Sequence, residues 1–146
     1  YEVIFFYNVY GPKQICLGKM ATVVGIFENC YLKNKALTVV KPGSQTRRFT
    51  HIKDTVDVCY KAWRNNKCQY YSISNKESFS ILELAKTIME LNDKKLEFQF
   101  DLSKPDIPTT VILDCSKAKE ELGWEPKIDV VEGLKRTSEW YKKNVR

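Results

Sequence analysis

The sequence predicts an α/β fold built on small parallel or mixed sheets, and three observations carry that prediction. Short apolar runs alternate along the chain with segments whose apolar residues recur at helical spacing, the order expected when helices cover a sheet. The run "VIFFY" at residues 3–7 is continuously apolar, as in a strand covered on both faces, and "YGP" at 10–12 breaks it. Near the other end, "DVVEGLKRTSEWYKKN" is amphipathic with cations gathered in its last turn, where they favour a helix C-terminus.

Taken in order, a strand is expected over residues 3–7. It needs neighbours on both sides and this chain offers few, so a larger sheet is expected to lie N-terminal to Tyr1. Residues 20–34 carry apolar positions at helical spacing, and 36–40 read as a strand. "KPGSQ" places Pro42 and Gly43 for a turn, and "RRFTHI" alternates as a strand. "KDTVDVCYKAW" is amphipathic, with Val56, Tyr60 and Trp63 on one side and Asp54 available to cap its start. "CQYYSIS" reads as a short strand. In "SFSILELAKTIMEL", Ser80 caps and Glu83 closes a capping box, while Leu82, Ala85, Ile88 and Met89 form the apolar stripe. "KLEFQFD" alternates as a strand, "LSKPDIP" is a proline-held loop, and "TTVILD" is short and extended. A helix capped by Ser116 should stop at Gly123, and Asp129 should cap the last one. One domain over 1–146 is expected, without repeats or an internal linker.

Composition narrows the function classes. At 43% hydrophobic residues the chain can bury a core without a covalent staple. Its longest apolar run, 21–27, is broken by Thr22 and Gly25 and falls far short of the roughly 20 residues of a membrane span. The start lacks an initiator Met, a basic region and a cleavage site, and reads as a cut within a longer protein. Five cysteines without a CxxC pair, beside the single His51, do not make a zinc site. They suit the reducing cytoplasm. The net charge of +6 admits nucleic acid, an acidic membrane surface or a small anion. No nucleic-acid-binding signature accompanies it, so nucleic acid is not the expected partner.

Several segments together resemble a known family. "YNVYGPKQ" (7–14) is similar to "FNVYGPxQ", and "LTVVKPGSQTRRFTHIKDTVD" to "LTIYGDGxQTRDFVYVDDVVD". "YSISNKESFSILELAK" is similar to "YNIGxGxxxSxLELA", and "DCSKAKEELGWEPKIDVVEGLKRTSEWY" to "SKAxxxLGWxPxxxLEEGLxxTxxWY". In this order and spacing the chain resembles the C-terminal part of the extended short-chain dehydrogenase/reductases, the NAD-dependent epimerases and dehydratases of nucleotide sugars. The resemblance covers essentially all 146 residues. It implies the last Rossmann strands plus a small mixed α/β substrate-binding domain. The glycine fingerprint and the YxxxK catalytic pair of that family would lie in a missing N-terminal Rossmann part. "YLKNK" at 31–35 spells YxxxK, but it follows the "YGP" segment where the family's pair precedes it.

The resemblance also implies site residues. Arg47, in "QTRRF", matches an arginine on the substrate diphosphate, for which a guanidinium fork is suited. The alternative is a solvated strand edge. Arg48 stands where the family usually has Asp, and its role is open. Asn8 matches an asparagine that can bond sugar or phosphate oxygens, and otherwise serves as a turn residue. Tyr7 occupies the place of an aromatic residue beside the nicotinamide. In "FDLSKPDIP", Asp106 matches a ribose-binding carboxylate, and the family's phosphate arginine falls on Ser103 or Lys104. Val40 and the helix of residues 20–32 belong to the region covering the base. His51 and Asp54 are expected to be structural, as a strand-end hydrogen bond and a helix cap.

The expected function is therefore to bind a nucleotide-diphosphate sugar for an NAD- or NADP-dependent epimerase, dehydratase or reductase. No catalytic residue and no bound cofactor are expected on this piece alone. The alternative is a stand-alone, non-catalytic nucleotide-sugar or protein-interaction module. A homodimer is compatible with either.

Overall fold

Among the described residues the apolar runs expected as strands form them, with partners far along the chain, whereas most of "LSKPDIP" and "TTVILD" lies outside the described residues. The computed structural model describes residues 1–92, 95–103 and 113–145. In chain order the elements are β1 (Val3–Phe6), β2 (Val9–Tyr10), α1 (Val23–Leu32), β3 (Leu37–Val40), β4 (Thr46–Arg47), β5 (Thr50–His51) and α2 (Ile52–Asn65). Then follow β6 (Tyr70–Ile73), β7 (Phe79–Ser80), α3 (Ile81–Leu91), β8 (Phe98–Asp101), α4 (Ser116–Leu122) and α5 (Val130–Asn144). The α/β class is as the sequence predicts.

The strands pair two by two. β1 runs parallel to β6 with Val3 opposite Tyr70, β2 parallel to β5 with Val9 opposite Thr50, and β3 parallel to β8 with Leu37 opposite Phe98. β4 and β7 are antiparallel, with Arg47 opposite Phe79. Parallel neighbours cannot be joined by a tight turn, so helices supply the returns.

Two apolar clusters form beneath these helices. One gathers Val24 and Phe27 of α1, Leu37 and Val39 of β3, Leu84 and Ile88 of α3, and Leu134 of α5. The other packs Val58 and Ala62 of α2 against Tyr71 and Ile73 of β6, with Ala118 and Trp124 closing it. Trp124 is fully buried, and its indole N–H donates to the Asp54 carbonyl at 3.0 Å.

Three helix ends with a local signal form as expected. Ser80 Oγ accepts the Glu83 N–H at 3.1 Å while the Glu83 carboxylate accepts the Ser80 N–H at 2.8 Å, a complete capping box on α3. Asp129 accepts the Glu132 N–H at 2.8 Å and starts α5. α4 stops at Gly123, whose φ of 57° is left-handed, but Ser116 does not cap its start: Ser116 is the first helical residue, Cys115 holds the cap position without a side-chain bond, and the Ser116 hydroxyl donates to Asp114 instead.

Four further expectations are corrected. "RRFTHI" is two short strands on different partners, because β4 is held by β7 and β5 by β2. Asp54 does not cap α2: His51 does, its Nδ1 accepting the Lys53 N–H at 3.2 Å. The Asp54 carboxylate turns inward and takes the N–H groups of Lys127 and Ile128. Val56, Tyr60 and Trp63 are exposed, since α2 buries its Asp54, Thr55, Val58 and Ala62 face instead. β1 pairs along one edge only among the described residues, with β6, and Phe5 and Phe6, on its opposite faces, are each 48% exposed, so it is not the strand covered on both faces that its run predicts. Among the described residues no helix is long and apolar enough to cross a membrane.

Candidate functional site

The site begins where β1 ends. Asn8 takes a left-handed φ of 49°, which asparagine tolerates better than most residues, and so turns the chain into β2. Its carbonyl accepts the Thr50 N–H at 3.2 Å, and its amide Nδ2 donates to the Arg48 carbonyl at 3.4 Å. These bonds bring the end of β1 against the segment joining β4 to β5. On the other flank β4 is fixed by β7 and by the Ile81 N–H donating to the Gln45 carbonyl at 3.1 Å.

The result is a cavity of about 440 Å³. Asn8 and Arg47 supply its polar wall, Phe49 and Ile81 its apolar wall, and Thr22 and Val23 at the start of α1 close it. Thr22 makes no side-chain cap and the first turn of α1 holds no acidic residue. The opening N–H groups of a ten-residue helix therefore add a positive end to a cavity that already holds a guanidinium. Arg47 is half-buried, and its Nη1 donates to the Thr46 carbonyl at 2.8 Å, which fixes one arm of the fork. An anionic head with an apolar body is the ligand chemistry such walls fit.

Of the residues singled out from the sequence, Asn8 and Arg47 meet at this cavity. Tyr7 stands beside Asn8, 49% exposed, and lines a smaller adjoining cavity of about 90 Å³ together with Asn8, Arg47, Arg48 and Ser74. Val40 ends β3 opposite Asp101 and is not among the residues lining either cavity. Lys104 and Asp106 lie outside the described residues. Phe49 and Ile81 were not foreseen. Alternation along "RRF" places Phe49 on the same side as Arg47 and was a usable signal, whereas Ile81 depends on the β4 and β7 pairing.

His51 lies under the site, fully buried against the Tyr10 ring at 5.5 Å between centroids. Burial lowers its pKa, with the Asp54 carboxylate opposing, so the ring is neutral near pH 7. Its Nε2 has no hydrogen-bond partner among the described residues. It caps α2 and faces no nucleophile. Tyr31 ends on the far side of α1, its hydroxyl donating to the Asn92 carbonyl at 3.0 Å. Among the described residues no group of His, Cys, Asp and Glu could hold a metal ion. Nor do they form a glycine-rich turn between strand and helix, so they do not by themselves cradle a dinucleotide pyrophosphate.

The chain is similar to known proteins along nearly its whole length. The GDP-mannose 4,6 dehydratase family matches residues 2–137. UDP-glucuronic acid decarboxylase 3 of Arabidopsis thaliana is 41% identical over 129 residues, 88% of this chain and 37% of that protein. A putative UDP-glucose 4-epimerase of Methanocaldococcus jannaschii is 33% identical and covers 100% of this chain with 47% of its own length. Among solved structures, UDP-glucose 4-epimerase of Thermotoga maritima with UDP-glucose superposes with a TM-score of 0.92 at 31% identity, covering all of this chain and 47% of its own. The UDP-glucuronic acid 4-epimerase of Bacillus cereus, solved with UDP-glucuronic acid and NAD, superposes at 0.85 with 27% identity over 96% of this chain and 44% of its own. The chain thus spans less than half the length of these relatives.

Proposed function

Because the chain belongs to the GDP-mannose 4,6 dehydratase family of nucleotide-sugar epimerases and dehydratases, we propose that it is the substrate-binding portion of an NAD(P)-dependent enzyme of that class. The observation that carries the reading is the meeting of Arg47, Asn8 and the open start of α1 at one cavity with an apolar wall. A nucleoside diphosphate sugar carries the matching parts. Its diphosphate suits the Arg47 guanidinium and the α1 N–H groups, its base suits the apolar wall, and its hydroxyls suit the Asn8 amide. Asp106 is proposed for the ribose hydroxyls and Lys104 for a phosphate, as a point charge. NAD(P), when bound to the complete enzyme, takes and returns a hydride. The role of this chain in that chemistry is positional: it holds the sugar at the end of β1, beside Tyr7, in one orientation.

The exposed apolar surface fits a chain that works against another body. Phe5 and Phe6 on β1, Tyr70 on β6 and the α2 stripe Val56, Tyr60 and Trp63 all face outward. A dinucleotide-binding portion, to which relatives about twice as long have room, would cover β1 and complete its sheet.

Calorimetric titration of the chain with UDP-, GDP- and dTDP-sugars tests the reading, with Arg47→Ala as the comparison. Saturable binding of one nucleotide class, weakened about tenfold or more by Arg47→Ala, is expected. A folded chain that binds none of them, or binds them equally well without Arg47, would overturn the assignment of the site.

A further inference from the structure

Arg48 follows Arg47 directly, yet the two guanidinium groups serve different spaces. Arg47 lines the cavity of about 440 Å³. Arg48 lines a separate cavity of about 250 Å³ with Ser74, Lys76, Cys115 and Lys119, floored by Trp124. Side chains of adjacent residues in extended chain turn to opposite faces, which separates them. The narrow space of about 90 Å³ lined by Tyr7, Asn8, Ser74 and both arginines joins the two.

The charges in the second cavity are unevenly matched. Lys76 and Lys119 share a single carboxylate, Glu125, at 3.0 and 3.1 Å. Those bonds, Lys76 first, hold Glu125 below the usual carboxylate range, so it is ionised at neutral pH. Ser74 spends its hydroxyl hydrogen on the Asn75 carbonyl, and Asn75 spends its amide on the Ile128 carbonyl. The Arg48 guanidinium, by contrast, has no hydrogen bond or ion pair among the described residues. It is half-buried and lines both spaces at their joint.

We infer that Arg48 forms an anionic subsite for a carboxylate on the sugar, separate from the diphosphate at Arg47. This rests on the nucleotide-sugar reading of the larger cavity. A ligand whose diphosphate lies at Arg47 would pass its sugar through the narrow space beside Tyr7 and Asn8, and a group on the far side of that sugar meets Arg48. A planar, singly charged carboxylate matches a planar guanidinium with two parallel hydrogen bonds. The two lysines, already engaged by Glu125, add attraction from further off. Arg48 is then a specificity-determining residue: it favours a sugar acid over the neutral sugar.

The test compares UDP-glucose with UDP-glucuronate, which differ at a single sugar carbon, by calorimetry on the chain and on Arg48→Gln, Arg48→Lys and Arg47→Gln. The chain should favour the uronate by about tenfold or more. Arg48→Gln should bring the ratio close to one, Arg48→Lys should retain part of it, and Arg47→Gln should weaken both ligands while preserving it. A ratio near one in the unaltered chain, or one that survives Arg48→Gln, overturns the subsite and leaves the diphosphate site standing. Should neither nucleotide sugar bind, the nucleotide-sugar reading itself fails. The subsite is then judged with free glucuronate at millimolar concentration: a shift of the Arg48 Nε–Hε resonance, without one at Arg47, supports it, and an unmoved Arg48 resonance overturns it.

Discussion

Glu28 makes one consequence of this packing measurable. It sits on α1, 1% exposed, with its Oε1 accepting the Ser138 hydroxyl of α5. Ser138 Oγ in turn accepts the Asn92 amide at 3.3 Å, just past α3, so one polar chain crosses the contact of three helices. Burial pushes the Glu28 carboxyl up to about 7, against the opposing pull of the Ser138 hydrogen bond and of Lys142. An acid raised in the folded state binds its proton more tightly folded than unfolded. Its contribution is therefore fully present below the unfolded value near 4.5 and is lost as pH rises through about 7. At roughly 1.4 kcal/mol per pKa unit the whole effect is about 3 kcal/mol, most of it falling between pH 5 and 8.

Glu28→Gln removes the titration and keeps an oxygen to accept from Ser138. Urea unfolding of both proteins from pH 5 to 8 isolates the Glu28 contribution, because every other group titrates alike in the two. The variant should be close to the unaltered chain at pH 5 and more stable by about 2–3 kcal/mol at pH 8. Stability curves that run parallel across this range would refute the argument, since they would mean that Glu28 does not change its protonation on unfolding.

Two further substitutions probe what holds the site. A Cβ at Gly133 would run into the Tyr10 hydroxyl and lie 2.8 Å from its Cζ, displacing a buried ring whose hydroxyl donates to the Val130 carbonyl. Gly133→Ala should cost about 2–4 kcal/mol in urea unfolding despite the better helix propensity of alanine, and an unchanged midpoint would show that α5 can step away from β2. Ser80→Ala removes the acceptor for the Glu83 N–H and should lower stability by about 1 kcal/mol, with no change in the denaturant slope.

What was legible in the sequence is what acts over a few residues. The Ser80 and Glu83 box, the Asp129 cap and the Gly123 stop each require only a neighbour three or four positions away, and each forms. Asp54 shows the limit. By local rules a carboxylate near the start of a helix should cap it, but Lys127 and Ile128 present two N–H groups to the same oxygen from more than seventy residues away. His51 is left to accept the Lys53 N–H. The same long-range contact sets the orientation of α2. With Asp54 and its carbonyl tied to the segment around Trp124, the Val58 and Ala62 side faces inward and the more apolar stripe of Val56, Tyr60 and Trp63 is left outside. Periodicity gave the right period and the wrong face, because hydrophobicity alone does not say which partner is present.

The candidate site divides along the same line. Arg47 and Asn8 could be singled out from a motif, and the cavity that joins them arises from pairings no local pattern contains, β2 with β5 and β4 with β7. Asn8 also has a structural duty that its motif hides: its left-handed turn and its bond to the Arg48 carbonyl set the segment that carries both arginines. A substitution there would move Arg47 and Arg48 along with the amide it removes. Loss of ligand binding in an Asn8 variant would therefore not identify Asn8 as a ligand contact. The arginines, whose side chains leave that backbone in different directions, separate the roles that Asn8 combines.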